Sequence, residues 1–236
     1  TYKITPSLSV TGFSGIDFVD TRDDNQRPAS IPAFAANGGT SAVVNTRNLD
    51  WNSNVAANWN KKFGNHTWAA LVGGEYKEEN VESASATGQA FPNPLFRSLQ
   101  NATPLSINGF FTGYKKAGLF SKVNYDFKEK YYFSGTLRYD GSSRFGADKR
   151  YGLFGGISGT WRISGEDFLA DNKVISDLKL RASYGVVGND QIADFASRAL
   201  FGAGGSYLGA NGIRPSQLGN ASLSWEQAAT TNIGVD

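Results

Sequence analysis

The sequence predicts an all-β chain: an antiparallel transmembrane β-barrel segment of about eight strands. Three observations lead there. Apolar residues recur with period two over runs of nine residues or more, long enough to cross a bilayer at a tilt. The connections between those runs alternate between short and long, the pattern of outer-membrane barrels. No run approaches the ~18 consecutive apolar residues of a membrane helix, while aromatics reach 13% of the 236 residues and charged residues only 19%.

The first strand is expected at about Tyr2–Phe18, with Tyr2, Ile4, Leu8 and Val10 on one face. Pro6 lacks a ladder donor and belongs at an edge, a strand end or a bulge. The second, Leu49–Phe63, sets Leu49, Trp51, Val55 and Trp59 against Asp50, Asn52, Asn54 and Asn58. The third, His66–Lys77, aligns Trp68, Ala70, Val72 and Tyr76. The fourth, Ala117–Phe127, sets Leu119, Val123, Tyr125 and Phe127 against Lys122, Asn124 and Asp126. The fifth, Tyr131–Asp140, sets Tyr131, Phe133, Leu137 and Tyr139 against Ser134, Thr136 and Arg138. The sixth, Tyr151–Ile163, sets Leu153, Ile157 and Trp161 against Ser158, Thr160 and Arg162. The seventh, Leu178–Val187, sets Leu180, Ala182 and Tyr184 against Lys179, Arg181 and Ser183. The eighth, about Leu223–Asp236, sets Trp225, Ile233 and Val235 against Glu226, Thr230 and Asn232.

Short turns are expected near Gly64–Asn65 and Lys128–Lys130, and long loops at about 20–48, 78–116, 141–150 and 188–221. The link Ser164–Asp177 is intermediate, with room for a helical turn. Trp59, Tyr76, Tyr131, Tyr139, Tyr151, Trp161 and Trp225 fall near strand ends, where membrane barrels carry aromatic girdles. The plain alternative is a soluble β-sandwich or solenoid, but its strands run about 5–6 residues and its polar face would be richer in charge than these Asn, Ser, Thr and Gly faces.

Composition closes other routes. The chain has no Cys, so no disulfide, thiolate metal site or Cys nucleophile is available, and its one His leaves no multi-histidine site. A net charge of +2 is too small to imply a nucleic-acid partner.

Four motifs carry a family resemblance: Leu137–Gly146 (LRYDGSSRFG), Trp161–Leu169 (WRISGEDFL), Ile175–Gly185 (ISDLKLRASYG) continuing to Gly188-Asn189, and Leu223–Glu226 (LSWE) followed by Thr231–Asp236 (TNIGVD). In this order and spacing they resemble the SusC/RagA-type TonB-dependent outer-membrane transporters. One departure is Gly165, where the family tends to carry an acidic residue. The resemblance covers about Gly118–Asp236 and implies import of a large nutrient, an oligosaccharide or a peptide. A SusD-type lipoprotein caps such a barrel from outside, and TonB pulls from inside on a plug that is not in this chain. Such barrels have 22 strands, so residues 1–236 are expected to form a partial barrel domain that needs the rest of the barrel and outer-membrane lipid around it. The alternative is a small self-contained outer-membrane barrel acting as an adhesin or a passive pore.

No catalytic constellation emerges. His66 follows a tight turn without partners, and the neighbouring acids Glu78-Glu79 and Glu166-Asp167 point to opposite faces or into solvent. No cofactor is expected: Asp20, Asp23, Asp24 and Asn25 offer oxygen ligands for calcium in the first long loop, but the spacing is not that of an EF-hand. Arg144 is expected to shape its loop by pairing with Asp140 or Asp148. The substrate-loop candidates are Phe91, Phe96, Phe110, Phe111 and Tyr207, since aromatic faces stack on sugars and fill apolar pockets. The alternative for each is packing against the lipoprotein partner or another loop.

Overall fold

A computed structural model describes residues 1–170, 172 and 174–236, with the side chain of Tyr207 outside the described part. Eleven strands lie among the described residues: β1 (Tyr2–Thr5), β2 (Leu8–Arg27), β3 (Thr40–Phe63), β4 (His66–Gln89), β5 (Thr103–Phe127), β6 (Tyr131–Ser142), β7 (Tyr151–Arg162), β8 (Lys179–Asn189), β9 (Leu200–Tyr207), β10 (Ala210–Gln217) and β11 (Glu226–Val235). Nine form one sheet in the order β1-β2-β3-β4-β5-β6-β7-β8-β11, and β9 and β10 form a separate hairpin. From β5 through β8 to β11 the pairing is antiparallel, with no break in register. The edge strands β1 and β11 are each paired on one side among the described residues. Each therefore presents an open row of backbone donors and acceptors.

Two expectations change here. The first strand is broken at Pro6: a two-residue turn separates β1 from β2, and the β1–β2 register shifts between Lys3 and Thr5. A ring that cannot donate to the ladder puts the break there. The segments expected as loops at 20–48 and 78–116 are mostly strand, because β2 reaches Arg27, β3 begins at Thr40, β4 reaches Gln89 and β5 begins at Thr103. Residues 20–27, 40–48 and 78–89 carry few large apolar side chains and lack the contrast by which period two is detected, while Leu105, Ile107 and Phe111 continue the phase of Leu119 and Val123 upstream of the expected start of that strand. The 141–150 connection is a loop holding a turn at Ala147–Lys149, and the 188–221 segment contains the β9–β10 hairpin. The link 164–177 holds two short 3-10 turns, Ile163–Gly165 and Asp167–Leu169, with positions 171 and 173 outside the described residues.

The chain divides into two units, Thr1–Gly15 with Asn52–Lys77 and Tyr114–Asp236, and Ile16–Trp51 with Glu78–Gly113. In the first, the large apolar side chains are mostly exposed. Leu137, Ile157 and Ile233 are 52%, 69% and 78% accessible, and the buried apolar residues are Phe145 and Phe154. Apolar burial against protein therefore contributes little, and the paired backbone ladder carries the element order.

Candidate functional site

Register in the first unit sorts the side chains into rows across five strands. One row is Asn124–Ser134–Ser158–Ser183–Asn232, with Ser134 Oγ donating to Asn124 Oδ1 at 2.8 Å. Its neighbours on the same face are Lys122–Thr136–Gly156–Gly185–Thr230 and Asp126–Tyr132–Thr160–Arg181–Gly234. Side chains alternate in a strand, so the opposite face carries Val123–Gly135–Ile157–Tyr184–Thr231, Tyr125–Phe133–Gly159–Ala182–Ile233 and Phe127–Tyr131–Trp161–Leu180–Val235. The first face is polar, mostly Ser, Thr, Asn and Gly with Lys122, Asp126, Tyr132 and Arg181 among them; the second is mostly hydrocarbon and aromatic.

Aromatics bound the apolar face at both levels. At one, Trp68 and Tyr125 stand 4.4 Å apart, His66 and Phe127 4.8 Å, and Tyr131 lies parallel to Trp161 at 6.4 Å. At the other, Tyr139 stacks on Tyr151 at 5.2 Å beside Tyr76 and Leu119. Along β7, Tyr151 and Trp161 are ten residues apart. At ~3.3 Å per residue and a tilt of ~40°, the vertical separation is roughly 25 Å, the height of a membrane barrel's apolar band. His66 belongs to this girdle: its Nδ1 is 2.8 Å from the Tyr125 hydroxyl. Trp225 does not. It precedes β11, packs on Phe145 (4.8 Å) and Phe154 (5.0 Å), and donates from Nε1 to the Arg150 carbonyl.

At the turn end of β6 and β7, Glu166 gathers three donors. Tyr131 Oη and Trp161 Nε1 donate to Oε1 at 2.6 and 3.1 Å, and Lys130 Nζ donates to Oε2 at 3.0 Å. Those bonds, from Tyr131 first, then Trp161 and Lys130, hold the Glu166 carboxyl down at about 2. The Lys130 ammonium is raised, chiefly by its bond to Glu166. Asp177 is lowered by Lys179 and Ser164 in the same link. The carboxylate thus fixes the tyrosine and tryptophan of the lower girdle.

At the loop end, the LRYDGSSRFG motif folds back into a buried polar cluster. Arg144 donates from Nε to Asp194 Oδ1 (2.8 Å) and from Nη1 to the Asp190 carbonyl (3.3 Å), and its guanidinium lies 3.8 Å over the Tyr114 ring. Lys116 Nζ reaches Asp190 Oδ1 at 2.8 Å. Arg144 shapes its loop as expected, but with Asp190 and Asp194 as partners rather than Asp140 or Asp148. Asp140 accepts instead from Arg138, which also donates to Glu75. Beside this cluster Phe154 occupies space that Gly188 leaves open: a Cβ on residue 188 would stand 2.2 Å from Phe154 Cζ.

Four of the five substrate-loop candidates separate into two places within the second unit, and Tyr207 belongs to the first. Phe91 and Phe96 share a cavity of about 260 Å³ with Gln26, Arg27 and Arg97, and Gln26 Nε2 donates to the Arg97 carbonyl. Phe110 and Phe111 lie on β5, not in a loop, and line a cavity of about 420 Å³ with Asp20, Arg47 and Glu82. Tyr207 ends β9, and its side chain lies outside the described residues. Asp20, Asp23, Asp24 and Asn25 sit on β2, where neighbours alternate faces; Asp20 pairs with Arg47 and Asp24 with Arg22. Among the described residues, no group of three or more acidic, His or Cys side chains is arranged to hold a metal ion. Arg27 and Arg47 gave no signal in the sequence, because only the assembled strands bring them beside the phenylalanines, whereas Arg97 directly follows Phe96.

Comparison with known proteins places this architecture. The family profile described as TonB dependent receptor-like, beta-barrel, matches residues 2–236. TonB-dependent receptor P39 of Formosa agariphila is 36% identical over 99% of this chain and 23% of its own length. TonB-dependent receptor SusC of Bacteroides thetaiotaomicron is 31% identical over 78% of this chain and 19% of its own length. Among solved structures, that of the RagAB peptide transporter superposes with a TM-score of 0.89 at 26% identity, covering 98% of this chain and 26% of that one. The chain spans about a quarter of the length of the relatives it matches.

Proposed function

The chain belongs to the TonB-dependent receptor-like β-barrel family, and from that premise we propose that it is part of the wall of an outer-membrane importer of large nutrients, oligosaccharide or peptide. The observation that carries this reading is the register-aligned division of one sheet into a girdled apolar face and a polar face. Hydrocarbon accepts the first; a wide aqueous interior suits the second. Strands β2 to β8 each have a neighbour on both sides, as lipid requires of a wall, and the open edges of β1 and β11 are left for strands from the rest of the barrel.

In this reading the protein sits in the outer membrane of a Gram-negative bacterium. A SusD-type lipoprotein delivers ligand from outside, a plug in another part of the polypeptide closes the lumen, and TonB supplies the pull that opens it. The wall itself performs no covalent chemistry and needs no cofactor. The Phe91–Phe96 and Phe110–Phe111 cavities are the proposed ligand contacts, where arginine and carboxylate beside an aromatic ring supply directional bonds to sugar hydroxyls or peptide groups. A self-contained small barrel is disfavoured by the two open edges at β1 and β11.

Uptake of labelled oligosaccharide and peptide pools by cells expressing the full-length protein tests the proposal. Uptake of one pool should fall to background when TonB is removed or the proton-motive force is collapsed. Uptake that persists under both treatments would identify a passive pore instead.

A further inference from the structure

The apolar face of the first unit is not evenly filled. Two adjacent outward rows place Gly135 between Val123 and Ile157, and Gly159 with Ala182 between Phe133 and Ile233. Together they open a slot of about 810 Å³ whose exposed lining is nearly all carbon. Its floor is Gly135, Gly159 and Ala182; Phe133, Ile157 and Tyr184 stand as its walls. A Cβ on residue 135 would meet nothing within 4 Å, and one on residue 159 would meet only the Phe133 ring, at 3.7 Å. The floor is therefore open space, not backbone packing.

We propose that this slot is a binding site for one acyl chain of an outer-membrane lipid, held more firmly than the lipid around the rest of the wall. The inference rests on the membrane-wall reading. Its depth selects the occupant: Ile157 lies four residues from Trp161 on β7, so the slot is roughly 10 Å above the lower girdle, well inside hydrocarbon. At that level the available molecules are acyl chains and other protein walls. A second copy of the wall would present rows of side chains at ~6.6 Å spacing along each strand. Those rows would ride on Phe133, Ile157 and Tyr184 and leave the glycine floor empty, whereas an unbranched chain reaches it. Trp68 and Tyr125 at the girdle end of the slot provide an amphipathic rim where a headgroup begins.

The test uses the full-length transporter and a phosphatidylethanolamine with one palmitoyl and one oleoyl chain. Lipid retained through graded delipidation is counted by native mass spectrometry. Gly135→Leu and Ala182→Leu fill the slot with hydrocarbon on a face that already bears it. Each is expected to lower retention about tenfold, the equivalent of lost contact to about two methylene groups. Leu119→Ala, outward but outside the slot, should leave retention unchanged. Wild-type protein that retains no lipid, or filled variants that retain as much as wild type, would overturn the proposal. So would a dimer that both filling variants dissociate, since the slot would then belong to a second copy. A bimane label on Leu153→Cys, quenched by brominated-chain lipids, reports the wall reading separately. Quenching without slot-dependent retention sinks the acyl site alone, and absence of quenching sinks the wall reading.

Discussion

A lysine placed at Ile157 and one placed at Ser158 should behave as opposites, although the two positions are adjacent on β7. Ile157 is 69% accessible on the apolar face, in the row Val123–Gly135–Ile157–Tyr184–Thr231. It stands roughly 10 Å from the lower girdle in an apolar band about 25 Å tall, within about 3 Å of the midplane. A Lys at that depth costs about 2–4 kcal/mol, and the cost falls to about 0–1 near the interfaces. The folded-to-unfolded ratio should therefore drop by about 30- to 1,000-fold for Ile157→Lys. Ser158 lies in the polar row Asn124–Ser134–Ser158–Ser183–Asn232, where a charge stays in water, so Ser158→Lys should stay within about 0.5 kcal/mol of wild type. Folding of the full-length protein into lipid vesicles across a urea series, read from the mobility of unheated samples on a gel, gives both numbers. Equal losses, or a larger loss for Ser158→Lys, would refute the assignment of the two faces.

Arg144→Ala leaves Asp194 without its 2.8 Å donor in a cluster where both side chains are 14% accessible; breaking such a pair costs about 3–5 kcal/mol. Protease cleavage in the 190–225 connection should accelerate by about 100-fold or more, and adding Asp194→Asn should recover part of the loss. Gly188→Ala drives a methyl to 2.2 Å from Phe154 Cζ and should cost about 1–3 kcal/mol, seen as faster hydrogen exchange around Phe154 and Trp225. The Glu166 network is pH-sensitive with a defined sign. Its carboxyl is held at about 2, below its ordinary 4.5, so its contribution is complete above about pH 4.5 and is lost as pH falls toward 2. A fluorescence titration of Trp161 should change across that window, and Glu166→Gln should flatten it.

The legible part of this fold was the part with apolar contrast. The fifth expected strand, Tyr131–Asp140, is β6 to within two residues, and the sixth, Tyr151–Ile163, is β7 to within one. In both, Tyr, Phe, Leu and Ile alternate with Ser, Thr and Arg, and a register slip by one would reverse every side chain. The girdle was legible for the same reason, because Tyr131, Tyr139, Tyr151 and Trp161 sit on the phase of the apolar face. Trp225 broke the pattern: it shares that phase in sequence, yet the strand begins one residue later and the indole turns to Phe145 and Phe154.

By itself, the sequence determined which residues share a face, where the turns at Gly64 and Lys128 fall, and that the ribbons are two-sided, since a period of two is a local property of each strand. Tertiary structure decided what depends on residues far apart in the chain. It extended β2, β3 and β4 through polar segments and β5 back to Thr103, set Arg144 against Asp190 and Asp194 across about 50 positions, and put Arg27 and Arg47 beside the phenylalanines. Backbone pairing and long-range charge contacts leave no periodic mark on a single strand, so only the assembled sheet reveals them.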